Sequence, residues 1–89
     1  MDFGEALEHI KDGGRVSRAG WNGSGVWLLL IGGSTFPVAA DRPIGQADPS
    51  SVGVEVVYRS HIDMKTVDGS FVPWVASQSD LLAEDWYPI

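Results

Sequence analysis

The hydrophobic positions of this chain change period along its length, and the changes mark the elements. Near the start, Phe3, Ala6, Leu7 and Ile10 recur at helical spacing on one face, while Glu8, Lys11 and Asp12 point to water. Asp2 stands at the N-cap, and Glu5, three residues on, completes a capping-box pattern. Gly13-Gly14 supplies the stop, because glycine tolerates the left-handed end of a helix. The spacing therefore predicts a helix over residues 3–12. The period then drops to that of strands. Residues 15–18 predict a short strand with Val16 inward. The run Val26-Trp27-Leu28-Leu29-Leu30-Ile31 is apolar on both faces, so it predicts a central strand or one covered by a partner subunit. Between them, the glycines at 20, 23 and 25 allow a tight loop.

Gly32-Gly33 turns the chain into another short strand, residues 35–40, which Pro37 demotes to an edge. Residues 41–51 carry Pro43, Gly45, Pro49 and scattered Asp and Ser, and read as a loop. Residues 52–59 and 61–67 read as strands, and Asp68-Gly69 makes a hairpin turn into a strand over 70–74. Ser77 starts a second, short helix with Asp80 at the capping-box position and Leu81-Leu82 after it. Residues 86–89 close the sheet. The fold class is α+β: a small, mostly antiparallel sheet with an N-terminal helix and a short C-terminal helix, in one domain spanning 1–89.

Composition narrows the function. At 89 residues the chain is short for a self-sufficient core, and it has no cysteine. Disulfides, thiolate zinc sites and cysteine nucleophiles are thereby excluded. Four Trp, three Phe and two Tyr are many large side chains for so small a core. They predict a homo-oligomer, with some tryptophans at subunit contacts or in a pocket. Six basic residues face twelve acidic ones, a formal charge of −6, which argues against a nucleic acid polymer as partner. A single nucleotide-like ligand is compatible with it, since one Arg and a helix N-terminus can hold a phosphate. No apolar run reaches membrane-spanning length, and no basic start precedes an apolar core, so neither a membrane nor a signal peptide is indicated and the cytoplasm is expected.

Catalytic chemistry finds little support. His9 is placed on the solvent side of its helix, and His61 opens a strand beside Asp63; neither has metal-ligand or triad spacing. Glu84 and Asp85 are neighbours that point apart and read as a solvated turn. The glycine-rich stretches match neither a phosphate-binding loop nor a dinucleotide fingerprint. No catalytic residue, metal or cofactor is expected.

Two segments instead suggest binding. In Arg18-Ala19-Gly20-Trp21-Asn22-Gly23, Trp21 is either a core tryptophan closing the loop or a stacking platform beside Arg18. Stacking a base on such a ring contributes about 1–3 kcal/mol. Trp74, stiffened by Pro73, lies just before the helix start, where free N–H groups and the side chains of Ser77, Gln78 and Ser79 suit an anion or a sugar. Ser77 caps its own helix in either case. Asp80 serves the helix or, in the sharper reading, a ribose hydroxyl. Trp27 and Trp86 belong to the core or a subunit contact. Phe3 and Phe71 are core candidates, and Phe3 is close enough to a helix start to line a pocket.

Three stretches then carry a resemblance: Met1-Asp2-Phe3-Gly4-Glu5-Ala6-Leu7, Val16-Ser17-Arg18-Ala19-Gly20-Trp21-Asn22-Gly23, and the run from Met64 through Pro73-Trp74-Val75-Ala76-Ser77-Gln78-Ser79-Asp80 to Trp86. Together they resemble the second Thoeris anti-defence family of bacteriophages. The resemblance implies a sponge that binds, without cleaving, the cyclic ADP-ribose isomer (glycocyclic ADP-ribose) made by a bacterial TIR-domain sensor. Some relatives also capture cyclic di- or trinucleotides of another defence system at a separate site. It further implies a homotetramer, a dimer of dimers with pockets shared between protomers, acting in the host cytoplasm. On that basis Trp21 and Trp74 flank the adenine or its sugar, with Phe3 lining the pocket. Arg18, Asn22 and the Ala76-Ser77-Gln78 turn reach phosphates and hydroxyls, and Asp80 is a further candidate. The alternative reading of the same residues is a structural or protein-interaction module whose tryptophans only form subunit contacts. An enzyme that degrades the messenger is a third, disfavoured by the missing acid, base and metal constellation.

Overall fold

A computed structural model of the chain describes residues 1–21 and 25–89. The elements run α1 (Phe3–Lys11), β1 (Val16–Arg18), a 3-10 turn (Ala19–Trp21), β2 (Trp27–Ile31), β3 (Ser34–Pro37), α2 (Pro43–Ala47), a second 3-10 turn (Pro49–Ser51), β4 (Glu55–Tyr58), β5 (His61–Lys65), β6 (Phe71–Pro73), α3 (Gln78–Leu82) and β7 (Trp86–Pro88). This is the α+β arrangement that the hydrophobic pattern predicts.

Local chemistry sets the ends of α1. The Asp2 carboxylate accepts from the Glu5 N–H at 2.8 Å, and Glu5 accepts from the Asp2 N–H at 3.1 Å, so two otherwise orphaned donors are satisfied. The helix stops before Gly13, whose φ of +93° a side chain would resist. Ala6 and Ile10 form its buried stripe.

Five strands make one antiparallel sheet in the order β6-β5-β2-β1-β7, which puts the doubly apolar β2 at the centre. The register pairs Val16 with Leu28, Leu28 with Met64 and Leu30 with Ile62. These side chains share the face on which α1 lies, and the buried cluster is Ala6, Ile10, Val16, Leu28 and Trp86. The other face carries Trp27, Leu29 and Ile31. There Trp27 meets Phe71 edge-on at 5.8 Å, and the Arg15 guanidinium sits 4.9 Å above the Trp27 ring. The turn after β5 is fixed by Asp68, which accepts from Ser70 N–H at 2.9 Å and from the hydroxyls of Ser70 and Thr66. Those bonds bring its carboxyl down to about 2.

The β2–β5 hairpin does not end at the Ile31–His61 pair. The same two chain runs pair again as β3 with β4, from Ser34–Tyr58 to Pro37–Glu55. Gly32-Gly33, opposite Arg59-Ser60, breaks the ribbon into two sheets. A Cβ at Gly33 would lie 2.6 Å from the Tyr58 carbonyl oxygen, so the two backbones approach only because the residue is glycine. The second sheet is an arm. It gives the molecule extents of 47 × 26 × 22 Å and a radius of gyration of 16.5 Å, against about 12 Å for a compact domain of this length.

The arm's tip corrects the sequence reading. Residues 41–51, expected to be a loop, fold into α2 and the second 3-10 turn. Pro43 sits at the start of α2, where its missing N–H costs nothing. Asp48 then caps the next turn through Ser50 N–H at 3.2 Å. Gly45 packs directly on the Ala39 carbonyl, leaving no room for a side chain. The residues that suggest a loop here are serving as helix punctuation.

Candidate functional site

Three aromatic rings and an arginine converge on Trp86, at the start of β7. Its indole is 1% exposed, and its Nε1–H donates to the Asp80 carbonyl at 3.0 Å. The rings are Trp21 at 5.3 Å, Phe3 at 5.5 Å and Trp74 at 6.1 Å between centroids. The Arg18 guanidinium carbon lies 5.9 Å from the ring centre. Different elements deliver each part. Met1 donates from its amine to the Trp86 carbonyl at 2.7 Å and accepts from the Trp86 N–H at 3.1 Å, which holds the first turn of α1, and hence Phe3, against β7. Trp21 ends the 3-10 turn after β1. Trp74 follows β6, its N–H anchored to the Ile62 carbonyl at 3.0 Å.

An ionic network binds the same parts together. Arg18 Nη1 donates to Asp80 at 2.8 Å and Arg18 Nε to Asp85 at 2.9 Å. The second Asp85 oxygen accepts from Gly20 N–H at 2.8 Å. Asp80 also accepts from the Ser77 N–H at 3.0 Å, and the Ser77 hydroxyl accepts from the Asp80 N–H at 3.0 Å, closing the capping box of α3. Hydrogen bonds to Asp85 and then Asp80 raise the Arg18 pKa further. The Arg18 bond, followed by that from Gly20, holds the Asp85 carboxyl below the ordinary carboxylate range. Burial alone would raise Asp80, but the Ser77 N–H, Arg18 and the Ser77 hydroxyl outweigh it and hold it low as well. Both carboxylates are ionised at neutral pH.

The structure thus brings Phe3, Arg18, Trp21, Trp74, Ser77 and Asp80 to one place. Gln78 opens α3 with its side chain exposed, and Ala76 is half-buried beside it. Asn22 lies outside the described residues. Trp21 and Trp74 both stand edge-on to Trp86, at 79° and 86°. A cavity of about 330 Å³ lies elsewhere, on the arm, lined by Phe36, Val38, Arg42, Ile44 and Tyr58 among others.

Two residues matter more than their sequence context suggests. Trp86, expected in the core or a subunit contact, is in the core, and is also the surface on which the other rings are arranged. Asp85, expected in a solvated turn, instead spends both carboxylate oxygens on Arg18 and Gly20. The signal for it is the cross-strand pairing of Arg18 with Trp86, which sets Asp85 beside the arginine. A single sequence does not display that register.

The family model described as the Thoeris anti-defense 2-like domain matches residues 1–89. The chain belongs to the Thoeris anti-defense 2 family. It is 43% identical over 86 residues to the Thoeris anti-defense 2 protein of Bacillus phage SP01, a match covering 97% of this chain and 91% of that relative. The match to the Thoeris anti-defense 2 family therefore takes in both the Trp86 cluster and the arm, and places the chain among phage anti-defence proteins. Among the described residues, no helix is long and apolar enough to cross a membrane.

Proposed function

We propose that this chain is a sponge. It binds a cyclic ADP-ribose-type immune messenger, glycocyclic ADP-ribose in the first instance, and withholds it uncleaved from the defence effector in the host cytoplasm. The observation that carries the reading is the convergence on Trp86 of residues distributed from Phe3 to Asp85. Half-buried indoles at Trp21 and Trp74 supply stacking surface for adenine. The outer N–H groups of Arg18, the amide of Gln78, the Ala76 backbone, the Ser77 hydroxyl and Asn22 supply donors for phosphates and sugars. Asp80 is an acceptor for a ribose hydroxyl.

The protonation states favour capture over chemistry. A general acid needs a proton to give near neutral pH. Asp80 and Asp85 are held ionised and are committed to protein donors. Arg18 is likewise shared between two carboxylates, so the trio carries net negative charge. The other side-chain cations lie on α1, on the far sheet face or on the arm. A messenger phosphate at the cluster therefore meets two cations already engaged, Arg18 with its carboxylates and the Met1 ammonium with the Trp86 carbonyl, and gains most from a cation contributed by a second copy. This favours pockets shared between protomers of a homotetramer built as a dimer of dimers.

Titration calorimetry with glycocyclic ADP-ribose tests the reading. Trp21→Ala and Trp74→Ala are each expected to weaken binding about 5- to 150-fold, the equivalent of one lost stack, with the native mass of the assembly unchanged. Wild-type affinity in either variant would refute the stacking assignment.

A further inference from the structure

β1 ends at Arg18, and the chain must turn within three residues for Trp21 to lie on Trp86. Three groups of that turn end on one residue. Ala19 N–H donates to the Asp85 carbonyl at 3.1 Å, Gly20 N–H to one carboxylate oxygen at 2.8 Å, and Arg18 Nε to the other at 2.9 Å. Gly20 permits this fit, because a Cβ there would come within 3.0 Å of the Asp85 carboxylate and 3.5 Å of Arg18 Nη2. Asp85 also immediately precedes Trp86, the ring on which Trp21 rests. One residue therefore locks the turn to the strand that carries its packing partner.

We propose that Asp85 is the positioning residue of this site: it clamps the Arg18–Trp21 turn onto β7 and so fixes both the Trp21 plate and the Arg18 guanidinium for the messenger. The inference rests on the sponge reading. Asp85 acts through the protein groups it holds, Arg18 and the Gly20 N–H. Losing the clamp leaves encounter unaffected, because the rings remain. It lets Trp21 tilt, and the bound molecule escapes sooner.

Stopped-flow kinetics with glycocyclic ADP-ribose on the assembled protein tests this. Asp85→Asn keeps the shape but cannot accept from both donors as a carboxylate does. It is expected to release the messenger about tenfold faster or more, with the association rate changed by less than about twofold. In a Trp21→Ala background, Asp85→Asn is expected to add less than it does alone, because of the two groups it positions only Arg18 remains. Asp85→Glu, which keeps the charge and displaces it by one methylene, is a second variant in case the amide fails to fold. The indole N–H resonance of Trp21 gives a readout free of ligand: both variants should shift it while that of Trp27, on the far face, stays put. Wild-type release, full additivity with Trp21→Ala, or an unmoved Trp21 resonance would each overturn the assignment. Should the wild-type protein bind no messenger, the sponge reading falls, and the Trp21 resonance still decides whether Asp85 holds the turn.

Discussion

At Gly32-Gly33 one continuous ribbon passes from a five-stranded sheet into a two-stranded arm, and burial changes with it. In the body, α1 covers one sheet face, and Trp86, Ile10, Leu28 and Val16 are fully buried. In the arm, Val38 is the buried apolar side chain, and Val52, Val54, Val57 and Tyr58 stay exposed. Both regions are built from antiparallel pairing of the same two chain runs, so pairing alone does not account for the contrast. A face becomes a core only when something lies on it, and a lone two-stranded ribbon is marginal in water. The body can hold rings and charges to a fixed geometry. The arm presents exposed apolar surface at Val52, Val54, Val57 and Tyr58.

Removing the centre of the body should expose the contrast most. Trp86→Ala deletes the ring under Phe3, Trp21 and Trp74 and is expected to cost about 3–5 kcal/mol, seen as a lowered urea midpoint with loss of messenger binding. The matching change in the arm is milder. Val38→Ala removes two methyl-sized groups, about 1.6 kcal/mol at most from burial alone. Native-state hydrogen exchange should show faster opening of β3 and β4 amides with those of β2 and β5 unaltered; equal acceleration in both sheets would mean that the arm shares the body's core. Ser77→Ala, which loosens α3 and the hold on Asp80, is expected to cost about 1 kcal/mol in the same urea assay.

The smallest effect is carried by pH. Asp80 and Asp85 titrate below their unfolded value of about 3.9. Their contribution is therefore complete above about pH 4 and lost as pH falls through the folded values. Arg18→Gln removes a main cause of both depressions. Urea midpoints of the variant and the wild type should differ above about pH 4 and converge as the pH falls below it through the folded values. Asp68, at about 2, adds the same acid loss to both proteins. A gap that persists in acid would show that Arg18 stabilises through packing instead.

What could be seen in the sequence follows the range of the interaction. The capping boxes at Asp2–Glu5 and Ser77–Asp80 span three residues, and both are legible, as are the glycine turns at Gly13 and Gly69 and the central place of β2. The helix at the arm's tip was hidden because Pro43 and Asp48 serve loops and helix starts alike. The arm itself depends on β3 finding β4 across an intervening excursion, which a local pattern does not encode. The site was legible by residue type and not by geometry. Trp21, Trp74, Arg18 and Asp80 stand out as chemistry. That Arg18 meets Asp80 and Asp85, 62 and 67 positions away, depends on strand register. So does the edge-on arrangement of the indoles about Trp86.

The central claim is capture without chemistry. The assembled protein should be loaded with glycocyclic ADP-ribose, freed of unbound compound, heated to denature it, and the supernatant resolved by chromatography and mass spectrometry. The account predicts the unaltered messenger in amounts stoichiometric with binding sites, and less of it from Trp74→Ala. A cleaved product, or no retained compound from the wild-type protein, would contradict it.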